Sequence, residues 1–175
     1  CDNRKTLSYP SLRNFVKIEI TRLILERFGH VDAIAGVATG AIPQGALVAD
    51  ALNLPFVYVR STPKDHGLEN LIEGELRPGM KVVVVEDLIS TGGSSLKAVE
   101  AIRRDGCEVI GMVAAYTYGF PVAEKAFKDA KVPLVTLTNY EAVMEVALRT
   151  GYIEEEDVET LNEWRKDPAH WESGK

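Results

Sequence analysis

The chain has 175 residues, 46% hydrophobic and 26% charged, which predicts one domain with a sizeable core, since domains run to about 100–200 residues. Its 20 lysines and arginines against 26 acidic residues leave a net charge of -6, the wrong sign for a general nucleic-acid binder. The most apolar run, Val82 to Val85, stops at Glu86 and Asp87, far short of the roughly 20 residues of a membrane span, and two cysteines without metal spacing, Cys1 and Cys107, suit a reducing cytoplasm.

From Leu12, apolar Phe15, Val16, Ile20, Leu23, Ile24 and Phe28 recur at three- and four-residue steps before Gly29, which predicts an amphipathic helix with a glycine stop. Ala33 to Ala38 is too short for a helix and reads as a buried strand, followed by Thr39-Gly40 and a helix with Pro43 in its first turn. PFVYVR, from Pro55, is a second strand. Residues 61 to 79 carry Pro63, Gly67, Gly74, Pro78 and Gly79 with few apolar residues, a connection long enough to be functional or mobile. Lys81 to Val85 is a third strand, its four valines suited to a central parallel position buried on both faces. A helix from about Ser94 follows, with Leu96, Val99 and Ile102 inward and Gly106 as its stop. Strand Val109–Ala115, helix Ala123–Ala130, strand Pro133–Leu137 and helix Tyr140–Arg149 complete an alternation that predicts a parallel α/β sheet flanked by helices. The tail from Glu154 carries EEEDVE, then Trp164 and Trp171, and reads as a solvated or an interface helix.

Ligands of open parallel sheets bind beyond the carboxyl ends of the strands, and the most informative junction is VVVVEDLISTGGSS, residues 82 to 95. Two adjacent carboxylates, Glu86 and Asp87, end a buried strand and need partners there: hydroxyls, a cation or a metal-bound ligand. Leu88 and Ile89 follow, then Ser90, Thr91, Gly92, Gly93, Ser94 and Ser95, small residues that turn sharply and expose amides at the start of a helix, an anion cradle. No lysine follows the glycines as a Walker A loop requires, and Gly36, Gly40 and Gly45 do not fit a dinucleotide fingerprint. A phosphate beside hydroxyl-accepting carboxylates describes a sugar phosphate. The simpler alternative is an acidic strand end followed by a glycine-serine helix cap.

This segment resembles the 5-phosphoribosyl-1-diphosphate (PRPP) motif of type I phosphoribosyltransferases: a hydrophobic strand, an acidic pair and a T-G-G-type phosphate loop. Three further segments resemble the orotate-using branch. Arg60 closes a strand and Lys64 and His66 follow it in RSTPKDHG; by themselves they are ordinary loop cations, but R-x-x-x-K-D-H-G is similar to that branch's catalytic flexible loop. GVATGAIP, with Thr39 and Gly40, is similar to its diphosphate loop. Cys1-Asp2-Asn3-Arg4 resembles the end of its N-terminal hood, implying that the hood is largely missing before residue 1.

The resemblance spans nearly the whole chain and implies a single type I phosphoribosyltransferase-like domain over residues 1–175. It implies transfer of the phosphoribosyl group from PRPP to orotate with Mg2+, and a cytoplasmic homodimer with shared sites. Catalytic roles fall to Lys64, His66 and Asp87. Substrate binding falls to Arg4, Thr39, Gly40, Arg60, Ser61, Glu86, Leu88, Ile89, Ser90, Thr91, Gly92, Gly93, Ser94 and Tyr118, and no protein metal ligand is implied. Many members carry lysines at the positions of Gly40 and Ser61 and an arginine for the base near Tyr118, which leaves open a purine or another base, or a PRPP-sensing regulator without catalysis.

Overall fold

A computed structural model describes residues 2–62, 71–168 and 171. The chain forms two compact units, Cys1–Thr138 and Asn139–Lys175.

The first unit opens with a 3-10 turn, Asn3–Ser8, that leads into helix α1, Pro10–Arg27. Pro10 at the first helical position lacks the amide hydrogen that would be unsatisfied there. Strand β1 (Ala33–Val37), helix α2 (Ile42–Leu52), strands β2 (Phe56–Val59) and β3 (Ile72–Glu73), strand β4 (Lys81–Ile89), helix α3 (Gly93–Arg104), strand β5 (Glu108–Thr117), helix α4 (Pro121–Asp129) and strand β6 (Leu134–Asn139) follow. The six strands make one sheet in the order β3-β2-β1-β4-β5-β6. Strand β1 pairs parallel with β2 and β4, and β4 pairs parallel with β5.

The predicted α/β sheet with flanking helices is thus present, and the four valines lie at its centre. Val82 and Val84 join one core cluster with Val99 and Ile102 of α3 and Phe127 of α4. Val83 and Val85 join the other with Ile20, Leu23 and Ile24 of α1 and Val48 of α2. All four are fully buried, as a strand covered on both faces requires.

Three features differ from the sequence reading. Strand β4 runs to Ile89 instead of ending at Val85, because its pairing with β5 continues through Glu86↔Ala114, Leu88↔Tyr116 and Ile89↔Thr117. Acidic residues are depleted in strands, so the hydrophobic run alone places the end of the strand too early. Strand β3 lies inside the expected 61–79 connection and pairs antiparallel with β2 through Tyr58↔Glu73 and Val59↔Ile72; two residues are too few to show a period. The 3-10 turn at the N-terminus had no periodic signal either.

The second unit contains helices α5, Tyr140–Arg149, and α6, Glu155–Lys166. The acidic run starts α6, where negative side chains meet the positive end of the helix dipole, and Glu154 and Asp157 form a reciprocal capping box. The Arg165 guanidinium lies 4.8 Å from the Tyr140 ring centre, and Tyr140 donates its hydroxyl to the Leu161 carbonyl at 3.1 Å.

Candidate active site

Successive side chains of a strand point to opposite faces, and β4 uses this to give its two carboxylates different surroundings. Glu86 is 5% exposed. Ser95, in the first turn of α3, donates its hydroxyl to Glu86 Oε2 at 2.7 Å, and the Asp87 amide donates to Oε1 at 2.9 Å. Burial pushes the Glu86 carboxyl up to about 8, the neighbouring Asp87 adds to the rise, and the Ser95 hydrogen bond opposes it. At neutral pH Glu86 is therefore largely protonated.

Asp87 faces the N-terminal turn. Arg4 Nε lies 3.3 Å from its Oδ2, and Asn3 donates its side-chain amide to the Asp87 carbonyl at 2.8 Å. Gly40 makes this arrangement possible: a Cβ there would lie 1.9 Å from Asp87 Oδ2 and 3.0 Å from Arg4 Nε. A lysine at position 40, expected from the family resemblance, cannot occupy this backbone while Asp87 keeps its place.

Two cavities meet at this acid. One, of about 300 Å³, is polar in character and is lined by Arg4, Thr39, Gly40, Glu86, Asp87, Leu88, Ser90 and Ser94, together with Asp2, Asn3, Val37 and Ala38. The Ala38–Thr39 peptide bond on its wall is cis. Gly92 caps α3 with φ +81 and a Cβ there would meet the Phe127 ring at 2.8 Å, so the Thr91-Gly92-Gly93 turn takes a path open to glycine alone. The amides at the start of α3 sit beside Ser90 and Ser94, the cradle expected for an anion. The other cavity, of about 240 Å³, is largely apolar. Its walls are Leu7, Phe15, Val16, Ile20, Ala115, Tyr116 and Leu137, with Thr6, Gln44 and Thr138 among them and Asn3, Arg4, Gly40, Glu86 and Asp87 also lining it.

The structure thus brings eight of the expected residues to one cavity from three separated segments. Others lie elsewhere. Ile89 is fully buried, in the core. Ser61 is exposed. Arg60 Nη1 lies 3.4 Å from Glu73 Oε1 on β3. The Tyr118 ring stacks on Phe120 at 5.3 Å and meets Tyr116 edge-on at 5.0 Å, and Tyr116 is the tyrosine that lines the apolar cavity. Lys64 and His66 lie outside the described residues. Sequence reasoning missed Asn3 and Gln44 as contributors, and it placed Ser95 in the anion cradle without its contact to Glu86. Only Ser95 carried a signal, as a hydroxyl in the first turn of the helix that follows the acidic pair.

Comparison with known proteins agrees with this geometry. A family model described as Phosphoribosyl transferase domain matches residues 12–149. An orotate phosphoribosyltransferase of Bacteroides fragilis is 94% identical over 175 residues, which cover all of this chain and 82% of the relative. The chain belongs to the orotate phosphoribosyltransferase family. The Porphyromonas gingivalis member is 72% identical over 171 residues, covering 98% of this chain and 81% of its own length. The crystal structure of orotate phosphoribosyltransferase from Aeropyrum pernix superposes with a TM-score of 0.75 at 28% identity, covering 86% of this chain and 82% of that one. The matched span contains the acidic pair and the turn into α3. Among the described residues, no helix is long and apolar enough to cross a membrane.

Proposed function

We propose that this protein transfers the 5-phosphoribosyl group of PRPP to orotate, giving orotidine 5'-monophosphate and diphosphate, a step of pyrimidine synthesis. The observation that carries the reading is the convergence of Asp87, Ser90, Ser94 and Thr39 on one polar cavity beside an apolar one, in a chain whose near-identical relative bears that name. The polar cavity suits the sugar phosphate and the apolar cavity suits a planar base.

The roles follow from where charge develops. As the bond from C1 of the ribose to the diphosphate oxygen breaks, its electron pair goes to the leaving group and the ribose becomes oxocarbenium-like; the bond from the base nitrogen then forms at C1. Catalysis requires groups that hold the ribose and neutralise the diphosphate as it departs. Ser90, Thr91, Gly92, Gly93 and Ser94 hold the 5'-phosphate, with the Leu88 and Ile89 backbone leading into that turn. Asp87 accepts from the ribose hydroxyls, and Glu86, largely protonated at pH 7, both donates and accepts. Thr39 and Gly40 offer backbone amides to the diphosphate. Lys64, His66 and Arg60 supply its cationic partners, with Ser61 alongside; Arg60 then exchanges Glu73 for phosphate oxygens. Arg4 takes the carboxylate of orotate, the task for which Tyr118 has no charge.

Among the described residues no group of three or more His, Cys, Asp or Glu side chains could hold a metal ion. Mg2+ dehydrates reluctantly and is carried mainly by phosphate oxygens and water, and the oxygen donors of Asp87, Thr39 and Ser90 on the polar cavity's wall would hold its waters. When bound it would neutralise charge on the departing diphosphate.

Leu12, Ile18 and Leu25 of α1 are exposed at 49%, 50% and 68%, apolar surface that supports a homodimer. A cytoplasmic location fits the dependence on PRPP and the buried free thiol of Cys107.

The test is diphosphate release from PRPP and Mg2+ by the whole protein with orotate, uracil, adenine or hypoxanthine as acceptor. Release with orotate at least tenfold above the others is expected. Release with a purine would replace the substrate, and PRPP binding without release under any base would make the protein a sensor.

A further inference from the structure

Gln44 is the one residue among those described whose buried side-chain polar atoms have no hydrogen-bond partner: neither Nε2 nor Oε1 is paired. It stands in the first turn of α2, is 7% exposed, and lines the apolar cavity. A glutamine amide offers two donors and two acceptor lone pairs, and leaving such a group buried and unpaired costs about 1–3 kcal/mol. Folded proteins tolerate few of these, and each calls for an explanation. Packing does not supply one: the amide sits where a leucine or methionine would fill the same space without penalty.

The shape of the cavity narrows what completes the pairing. Its volume of about 240 Å³ is below the roughly 300–1,000 Å³ of sites for drug-sized ligands, and suits a single six-membered ring better than a fused pair. Its walls from Phe15, Val16, Ile20 and Leu137 are apolar, as the faces of a planar ring prefer. Charge enters only at one side, where Arg4 and Asp87 form an ion pair shared with the polar cavity. A ligand there would be flat, apolar on its faces, hydrogen-bonding along one edge, and compatible with a cation on the cavity wall.

We infer that Gln44 reads the imide edge of a pyrimidine base: Oε1 accepts from the ring N3–H while Nε2 donates to an adjacent ring carbonyl. The two bonds lie side by side in one plane, matching an amide to an imide. Nε2 and Oε1 are closed off from the cavity, so the contact requires a change of rotamer at the inner side-chain torsions of Gln44, after which the soft terminal torsion aligns the amide with the ring edge. This rests on the phosphoribosyl-transfer reading above and adds to it a residue that selects the base by its edge, separately from the Arg4 contact to the exocyclic carboxylate. Gln44 touches neither the sugar nor the diphosphate in this assignment, so its loss affects the base alone.

The experiment compares the wild-type whole protein with Gln44→Leu, and with Gln44→Met as a variant of equal side-chain length, using orotate and N3-methylorotate as acceptors. The wild type is expected to prefer orotate over the N3-methyl compound by at least tenfold in kcat/KM. In the variants this preference collapses to within about twofold because KM for orotate rises about tenfold, the worth of two neutral hydrogen bonds at the lower end of their range. KM for PRPP stays within twofold, and the melting temperature does not fall. Variants that keep the wild-type preference, or that weaken orotate and PRPP equally, overturn the assignment of Gln44 while leaving the transferase reading intact. A wild type that transfers nothing to orotate overturns both.

Discussion

Glu86 and Asp87 are adjacent in sequence, and the alternation of β4 makes them unlike. Glu86 is buried against Ser95 and held up to about 8, whereas Asp87 meets Arg4 and the open cavities. The pair itself was legible, because two carboxylates after four valines demand partners. The upward shift at Glu86 was not, since that depends on α3 packing over one face of the strand. A pH prediction follows. The unfolded Glu86 titrates near the ordinary 4.5 and the folded one near 8, so between these values the folded state holds a proton the unfolded state has lost. The stability this residue confers is complete below about pH 4.5, falls as pH rises and is gone above about pH 8. Glu86→Gln removes that slope: melting temperatures measured from pH 5 to 8.5 should change less in the variant, with the variant gaining most at the alkaline end. An unchanged profile would mean that Glu86 ionises normally in the fold. Gly40 shows the same limit of legibility. The sequence displays only a missing lysine, while the structure shows the Asp87 carboxylate filling the place of its Cβ.

At the scale of elements, most of the strand-helix alternation was readable because the longer strands are apolar runs and the helices between them have periodic faces; α1 buries Ile20, Leu23 and Ile24 but leaves Phe15, counted on the same face, 60% exposed. The boundaries that failed are those where polarity and backbone pairing disagree. Strand β4 continues for four residues past its last valine because β5 continues beside it, and β3 exists only because β2 offers an edge. The turn into α3 depends on both kinds of information. Its small residues are visible in the sequence, but the reason Gly92 must be glycine lies in its positive φ and in the Phe127 ring from α4 beneath it. Gly92→Ala should therefore destabilise the protein by about 1–2 kcal/mol from the left-handed backbone alone, with the Phe127 clash adding to it. It should also weaken PRPP binding, read by titration, more than binding of the base. If melting and PRPP affinity both match the wild type, the cradle tolerates a second geometry.

For the whole molecule, a net charge of -6 argues against polyanion binding in general, and among the described residues the polar cavity has a single cation, Arg4, beside the acids Asp2, Glu86 and Asp87. The polar cavity draws on residues 2–4, 37–40, 86–88, 90 and 94, and a sequence shows such convergence only when its motifs are already familiar. Contacts across the chain had no local signal: Arg4 and Asp87 are 83 positions apart. Gln44 was invisible for a related reason, since a polar residue in a helix's first turn is unremarkable until the helix is packed. The apolar cavity beside the acid likewise emerges only after α1 and the 3-10 turn close over the ends of β5 and β6.

The most direct measurement is the turnover of Asp87→Asn with saturating PRPP, orotate and Mg2+. Its ion pair with Arg4, whose side chain is 64% exposed, is of the kind worth about 0–1 kcal/mol, so the variant should melt close to the wild type. Turnover should fall by roughly 100-fold or more, the scale of losing one aligned electrostatic partner of the transition state. A folded Asp87→Asn protein that turns over orotate at a near-normal rate would contradict the assignment of this acid, and of the cavity built around it, to phosphoribosyl transfer.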